Sequence, residues 1–409
     1  MSELGGQQIA FGDALDSFPS WQSLERELGV RVSGWRINRG RVDETQRTGT
    51  GTASIFVNDL SGYLGAGSDF PTHARLLLRG SPRYRGHVDE INVDEDPTPA
   101  GISRVTIECV DLFDHLSTCE LIPGVHGHFP VPAGQEQYVY YAAQQVDDRI
   151  IDILFSVGVL SGQREIFSGN VAVIANTYQA GSTAMQALDE ACDAEWPGVS
   201  NRFITSEGKY AFRGRFSRFN PEAYPQISFW EAETRSTTAT GRAAIRALQW
   251  TRGRKMIVNS ATAWVAGANE ADIPLVTIED ATSLGTFGRR SWSAENLLTK
   301  RHLSNGNTGA DEAVLFATYQ VANYKSAQPR VQRVRFKSLR DDHPAGAATW
   351  ALMEGVEISD VIDLYTGSIS GRYFVEGITM EARELDGDMP YVTCDLDLSP
   401  AAWWTTDPF

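Results

Sequence analysis

The sequence predicts a β-rich α+β protein, with two small antiparallel β-barrel domains and an α+β module between them. Three observations predict it. Apolar and polar residues alternate with period 2 from residue 31 to about residue 110, and again towards the C-terminus. Between these regions the apolar period lengthens to 3.6 over two segments. Gly, Pro, Asn and Asp clusters cut the alternating regions into short strands, as in small barrels or sandwiches. At 409 residues the chain has room for two to four domains.

Residues 1–28 read as an N-terminal helical arm: Ser20 is an N-cap, Trp21, Leu24 and Leu28 follow at helical spacing, and Gly29 is the stop. The first barrel covers 29–121. In it Trp35 and Ile37 share one face against Arg36 and Asn38, and Gly51, Ala53, Ile55 and Val57 oppose Thr50, Thr52, Ser54 and Asn58. Ala74, Leu76 and Leu78, then Val105, Ile107 and Cys109, mark inward positions of later strands. A Pro- and Gly-rich linker spans 122–137.

The α+β module covers 138–222. Val146, Ile150, Ile153, Leu154 and Val157 form one helical stripe. Met185, Leu188, Cys192 and Trp196 form another, starting at Ser182 and stopped by Pro197. "RFITSEGKYAFRGR" reads as a hairpin turning at Glu207-Gly208. The second barrel, 223–409, carries one inserted helix at about 310–328, with Val314, Ala317, Val321 and Tyr324 aligned and Pro329 as its stop. In its last strand Val392, Cys394, Leu396 and Leu398 point inward, and Tyr391, Thr393, Asp395 and Asp397 outward.

Composition narrows the function. With 36 basic and 52 acidic residues the net charge is −16, which disfavours sequence-specific nucleic-acid binding. The N-terminus lacks a basic and apolar leader pattern, and no apolar run approaches the ~18 residues of a membrane helix, so synthesis in a cytoplasm without membrane insertion is expected. Cys109, Cys119, Cys192 and Cys394 lack CxxC spacing and read as buried free thiols rather than zinc ligands.

No cofactor, catalytic or metal residue is assigned. His126 and His128 alternate in the linker, but no third ligand is near in sequence. The acidic clusters Asp94-Glu95-Asp96 and Glu384, Asp386, Asp388 lack the spacing of a calcium loop and read as turns. There is no nucleophile elbow, phosphate loop or zinc-protease motif, although paired glycosidase carboxylates can lie anywhere in a chain.

From Lys325 to Arg340 there are six cations and no acid, and Arg333, Arg335 and Lys337 share one strand face. This is either a solvated outer face or a contact with an acidic surface of another subunit or partner.

The stretch "WRINRGRVDETQRTGTGTASIFVND", followed by "RLLLRG" and "YRGHVDEI", resembles the N-terminal barrel of siphophage minor tail proteins. These are also called tail hub or baseplate hub proteins, and are similar to the hub of contractile-tailed phages. "STAMQALDEACDAEWPGVSNRFITSEGKYAFRGR", "SLGTFGRRSWSAENLL", "PRVQRVRF", "EISDVIDLY", "YFVEGITMEA" and "DLDLSPA" resemble later segments of the family in the same order. The N-terminal arm is extra, and "NDLSGYLGAGSDF" lacks the family's Arg-Phe-Asp-Pro after the turn.

The resemblance implies a structural virion protein at the distal tip of a long non-contractile tail, without enzymatic activity. It implies a homotrimer whose two barrels per chain make a pseudo-six-fold ring, with Arg36, Arg39, Arg41 and Arg47 in a strand pair that serves assembly. The implied partners are the distal tail protein, the tape-measure protein, and tail fibre or tip proteins, around a lumen that lets DNA pass. The other readings are a tail-tip peptidoglycan hydrolase and a host-glycan-binding tail protein, the latter pointing to Trp403 and Trp404.

Overall fold

The computed structural model describes residues 8–12, 22–23, 31–59, 73–94, 103–169, 171–234, 241–265, 276–297, 312–340, 342–367, 369–383 and 391–401. The first region supplies β1 (Gln8–Gly12), β2 (Gln22–Ser23), β3 (Arg31–Gly40), β4 (Thr52–Asp59), β5 (His73–Leu78), β6 (Ser81–Asp94) and β7 (Ser103–Val110). They run antiparallel in the order β3-β4-β7-β6-β5-β1-β2. The inward residues expected from the alternation, among them Trp35, Ile37, Ile55, Leu76 and Ile107, are buried. Gln22–Ser23 was expected inside a helix but pairs with β1 as a strand, where an open sheet edge satisfies its backbone. The remainder of that expected helix lies outside the described residues.

The middle region contains α1 (Leu112–Thr118), β8 (Val139–Tyr141), β9 (Gln144–Gln145), α2 (Val146–Ser156), β10 (Arg164–Ile166), β11 (Ala172–Val173), β12 (Asn176–Tyr178), α3 (Ala184–Asp193), β13 (Asn201–Ile204), β14 (Tyr210–Arg213) and α4 (Arg215–Phe219). Val146, Ile150, Ile153 and Leu154 of α2 pack into a core with Leu188 and Cys192 of α3, as the 3.6-residue stripes predicted. Thr183, not Ser182, caps α3 by accepting from the Gln186 N–H. The β13–β14 hairpin turns at Glu207-Gly208, where φ of +81° needs glycine.

The last region contains β15 (Phe229–Thr234), β16 (Ala243–Ile245), β17 (Ala247–Thr251), β18 (Ser260–Val265), β19 (Val276–Glu279), α5 (Ala281–Phe287), β20 (Ser291–Leu297), α6 (Glu312–Tyr324), β21 (Arg330–Lys337), α7 (Gly346–Gly355), β22 (Val361–Tyr365), β23 (Gly371–Arg383) and β24 (Tyr391–Pro400). Helices α5 and α7 join the single inserted helix that was expected, and α1 ends the first region. Asp111 and Asp280 cap α1 and α5.

Two separate antiparallel barrels are not what the described strands make. The first and last regions are hydrogen-bonded into one 14-stranded sheet by β3 and β23, which pair antiparallel from Gly34–Arg383 to Gly40–Gly377. The sheet is also mixed, because β15 runs parallel to both β16 and β22. One apolar core follows this sheet, with Trp35 and Ile55 in the same cluster as Phe336, Met380 and Leu396. Smaller cores lie in the middle module and around Trp196, Phe219 and Phe316.

Candidate functional site

At the end of β3 the chain meets β23 so closely that only glycine fits. Gly40 has φ of +91°, and a Cβ there would lie 2.3 Å from the Glu376 carbonyl oxygen. This approach delivers Arg41 to the Glu376 carboxylate: Arg41 Nε donates to Oε2 at 2.8 Å, and Arg41 Nη2 donates to the Gly198 carbonyl at 3.0 Å. Arg218 of α4 donates to the same carboxylate through Nη1 and Nη2, the latter at 2.9 Å, and Ser399 Oγ donates from β24. Burial pushes the Glu376 pKa up, but Arg218 and then Arg41, with the hydrogen bonds from Arg218 and Ser399, outweigh this and hold it at about 2.

The neighbouring side chains extend this junction. Glu44 accepts from Arg330 Nη1 at 2.6 Å and from Tyr324 Oη at 3.1 Å, tying the turn after β3 to α6 and β21. Burial raises the Glu44 pKa although Arg330 opposes it. Arg39 donates to the Ile204 carbonyl at 3.1 Å and pairs with Glu357 at 2.9 Å, and Glu357 accepts from the Ser206 N–H at 2.7 Å. Arg47 reaches Asp189 at 3.3 Å and Asp193 on α3. It lines a cleft of about 240 Å³ with Arg41, Gly198, Asn201, Arg202 and Trp292.

Of the arginines that open the first strand pair, Arg39 and Arg41 are buried against the other two regions, whereas Arg36 on β3's outer face and Arg47 are exposed. Arg39, Arg41 and Arg47 each pair with a carboxylate of this same chain, Glu357, Glu376 and Asp193 respectively. What the arrangement does chemically is hold backbone carbonyls and carboxylates in fixed register.

Arg333, Arg335 and Lys337 do share one face of β21, as expected. Register sets Arg333 opposite Asp397 and Arg335 opposite Asp395 on β24. Both pairs are bidentate, at 2.7 and 3.0 Å for Arg333 and 2.6 and 2.6 Å for Arg335. Lys337 Nζ lies 4.1 Å from the centre of the Tyr391 ring. Asp395 and Asp397, expected to face outward, are covered by these cations and buried. The face is thus a charge-matched ladder rather than a cationic strip, and the alternating acids of β24 were the signal for it in the sequence.

The linker histidines are anchors. His128 Nε2 meets Asp152 Oδ2 at 2.7 Å, while its Nδ1 accepts from the Ala142 N–H at 3.0 Å. His126 Nδ1 accepts from the Ile122 N–H at 2.8 Å. Among the described residues no three His, Cys, Asp or Glu side chains gather as a metal site. Cys109, Cys192 and Cys394 are buried free thiols, and Cys119 is a partly buried one. Arg383 of β23 pairs with Tyr391 of β24, on either side of Glu384, Asp386 and Asp388 in the sequence. These acids, Glu95, Asp96, Trp403 and Trp404 lie outside the described residues. No helix among the described residues is long and apolar enough to cross a membrane.

No family model matches the chain, and no curated protein matches it. Solved structures do. The tail protein from Neisseria meningitidis MC58 aligns over 98% of this chain and 99% of its own, with a TM-score of 0.59 at 12% identity. The 43 kDa tail protein of prophage MuSo2 from Shewanella oneidensis aligns over 97% of this chain and 99% of its own, with a TM-score of 0.56 at 10% identity. The fold is that of phage tail proteins, in agreement with the resemblance carried by the sequence motifs.

Proposed function

We propose that this chain is a structural component of a phage tail, and more closely the hub at the distal tip of a long non-contractile tail. The observation that carries the reading is the end-to-end match in fold to two phage tail proteins, each aligned over nearly its whole length. The order of hub-like motifs along the sequence supports the finer placement.

In this reading three copies form a ring between the six-fold tail tube and the three-fold tip. The ring contacts the distal tail protein, the tape-measure protein and the fibre or tip proteins, and leaves a passage for DNA. A closed three-fold ring needs two different complementary faces on each copy. What supports a barrel in the last region is the continuity of β16 and β17: Ala243–Ile245 pairs with β15, and after Arg246 the same chain pairs with β21. The Arg246 N–H donates to the Arg335 carbonyl at 2.8 Å, carrying the strand from one partner to the other. An inner surface of net negative charge would let DNA slide, since few cations would replace its counterions.

Light scattering on the purified protein, alone and with its tail neighbours, tests the ring. A mass three times that of the 45.0 kDa chain is expected. A monomer that stays monomeric with those neighbours present would overturn the ring. Peptidoglycan zymography tests the structural assignment, with no clearing expected; a cleared band would replace it with a hydrolase.

A further inference from the structure

Two short links in the last region carry cations and no acid: Arg252, Arg254 and Lys255 between β17 and β18, and Arg289 and Arg290 between α5 and β20. All five are exposed. One buried side chain bolts the links together. Asn259, 0% exposed, accepts from the Arg290 N–H through Oδ1 at 2.7 Å and donates through Nδ2 to the Gly288 carbonyl at 2.8 Å. In the other direction the Asn259 and Ser260 N–H groups donate to the Arg290 carbonyl at 3.0 and 3.2 Å. The Ile257 N–H donates to the Arg254 carbonyl at 3.2 Å and closes the first link.

The acids beside these links are already matched: Glu279 pairs with Arg289 at 2.7 Å, and Asp280 with Lys325 at 3.1 Å. Arg252, Arg254, Lys255 and Arg290 pair with no carboxylate among the described residues. Arg252 Nε donates to the Ala327 carbonyl at 3.4 Å, and the Arg254 guanidinium carbon lies 5.7 Å from the centre of the Phe287 ring. Neither contact neutralises a charge. Cations gathered in this way repel one another, and a bound anion relieves that repulsion. Two residues before Arg252, Trp250 is 46% exposed on β17.

We propose that this surface docks an acidic segment of a partner protein, its carboxylates meeting Arg254, Lys255 and Arg290 and an apolar side chain covering Trp250. Charge complementarity selects the acid. Arginine beside an exposed tryptophan is the composition of protein-binding hot spots, and links fixed in advance lower the ordering cost of association. A nucleic acid would be repelled by the net charge of −16 on the whole chain. Any assembly would meet the same chemistry here, so the tail reading is not needed for it.

Calorimetric titration of the full chain with an acetylated, amidated Glu-Glu-Leu-Glu-Glu-Leu-Glu-Glu peptide tests the surface, beside its Gln-for-Glu analogue and a short oligothymidylate. The acidic peptide is expected to bind and to weaken as salt is added. Arg290→Gln should weaken it about two- to fivefold, as for one exposed pair, and the triple variant Arg254→Gln, Lys255→Gln, Arg290→Gln about tenfold or more. Trp250→Ala should weaken it at low and high salt alike, because an apolar contact is not screened. Arg340→Gln removes the same charge from a side chain 80% exposed beside Asp342, and should leave the affinity unchanged. No binding by the wild type, equal binding of the Gln peptide, or a loss in Arg340→Gln equal to that in Arg290→Gln would overturn the proposal. Oligothymidylate binding as tightly as the acidic peptide would overturn it in favour of phosphate backbones. A salt-sensitive self-association that the triple variant abolishes would overturn it in favour of a second copy of this chain.

Discussion

Two regions of this molecule use the same chemical pair, arginine with carboxylate, to opposite effect. At the β3–β23 junction the Arg41 and Glu376 side chains are 2% and 0% exposed, and Arg218 shares the same carboxylate. On the β21–β24 ladder Arg335 is 52% exposed over Asp395. In the sequence both read as charged residues alternating with apolar ones. Burial separates them: a buried carboxylate stripped of its partners, or arginines stripped of theirs, has no water to turn to, whereas an exposed pair is largely screened. The difference teaches that the arginine-rich opening of the first strand specifies how the regions join, while the later basic run smooths a surface.

The largest break in this comparison should come from Glu376→Gln, which leaves Arg41 and Arg218 buried without their carboxylate. A loss of about 3–5 kcal/mol is expected in denaturant unfolding. The pH dependence carries the same signature. The folded pKa of Glu376, about 2, lies below its ordinary 4.5. Its contribution is therefore full above about 4.5 and is lost as pH falls towards about 2, so wild type and variant should converge over that window. Gly40→Ala attacks the junction through the backbone and should destabilise by on the order of 1–3 kcal/mol, read as a lower thermal midpoint. Asp111→Ala removes the acceptor shared by the Phe113 and Gly51 N–H groups, at 2.9 and 2.7 Å. It should lower unfolding stability by about 0.5–2 kcal/mol. Arg335→Ala should lie within about 1 kcal/mol and shrink further in high salt, which places the ladder at the weak end.

Much of the fold was legible because the local period reports it. The inward residues of β3, β4, β7 and β24, the stripe of α2 and the turn at Gly208 all follow from spacing alone. What was not legible is pairing at long range. Nothing near Trp35 says that Ala382 will lie opposite it, and this register makes one sheet where two barrels were expected. Helix α7 escaped because it is apolar on most sides, wedged against β6, β16 and β21, and so shows no stripe. The junction was half legible: the arginines stood out, but their partners at Glu357 and Glu376 are more than three hundred residues away, and Gly198 and Ile204 offer only carbonyls. The ladder partners Asp395 and Asp397 were visible as the outer face of a strand, yet only register shows that they meet Arg335 and Arg333.

Arg41, at the end of the arginine-rich strand, locks the first and last regions into one unit through Glu376. Hydrogen-exchange mass spectrometry on the wild type and Glu376→Gln tests it most directly. Exchange is expected to accelerate together in β3, residues 31–40, and in β23, residues 371–383. Acceleration confined to β23, with β3 still protected at wild-type rates, would contradict it.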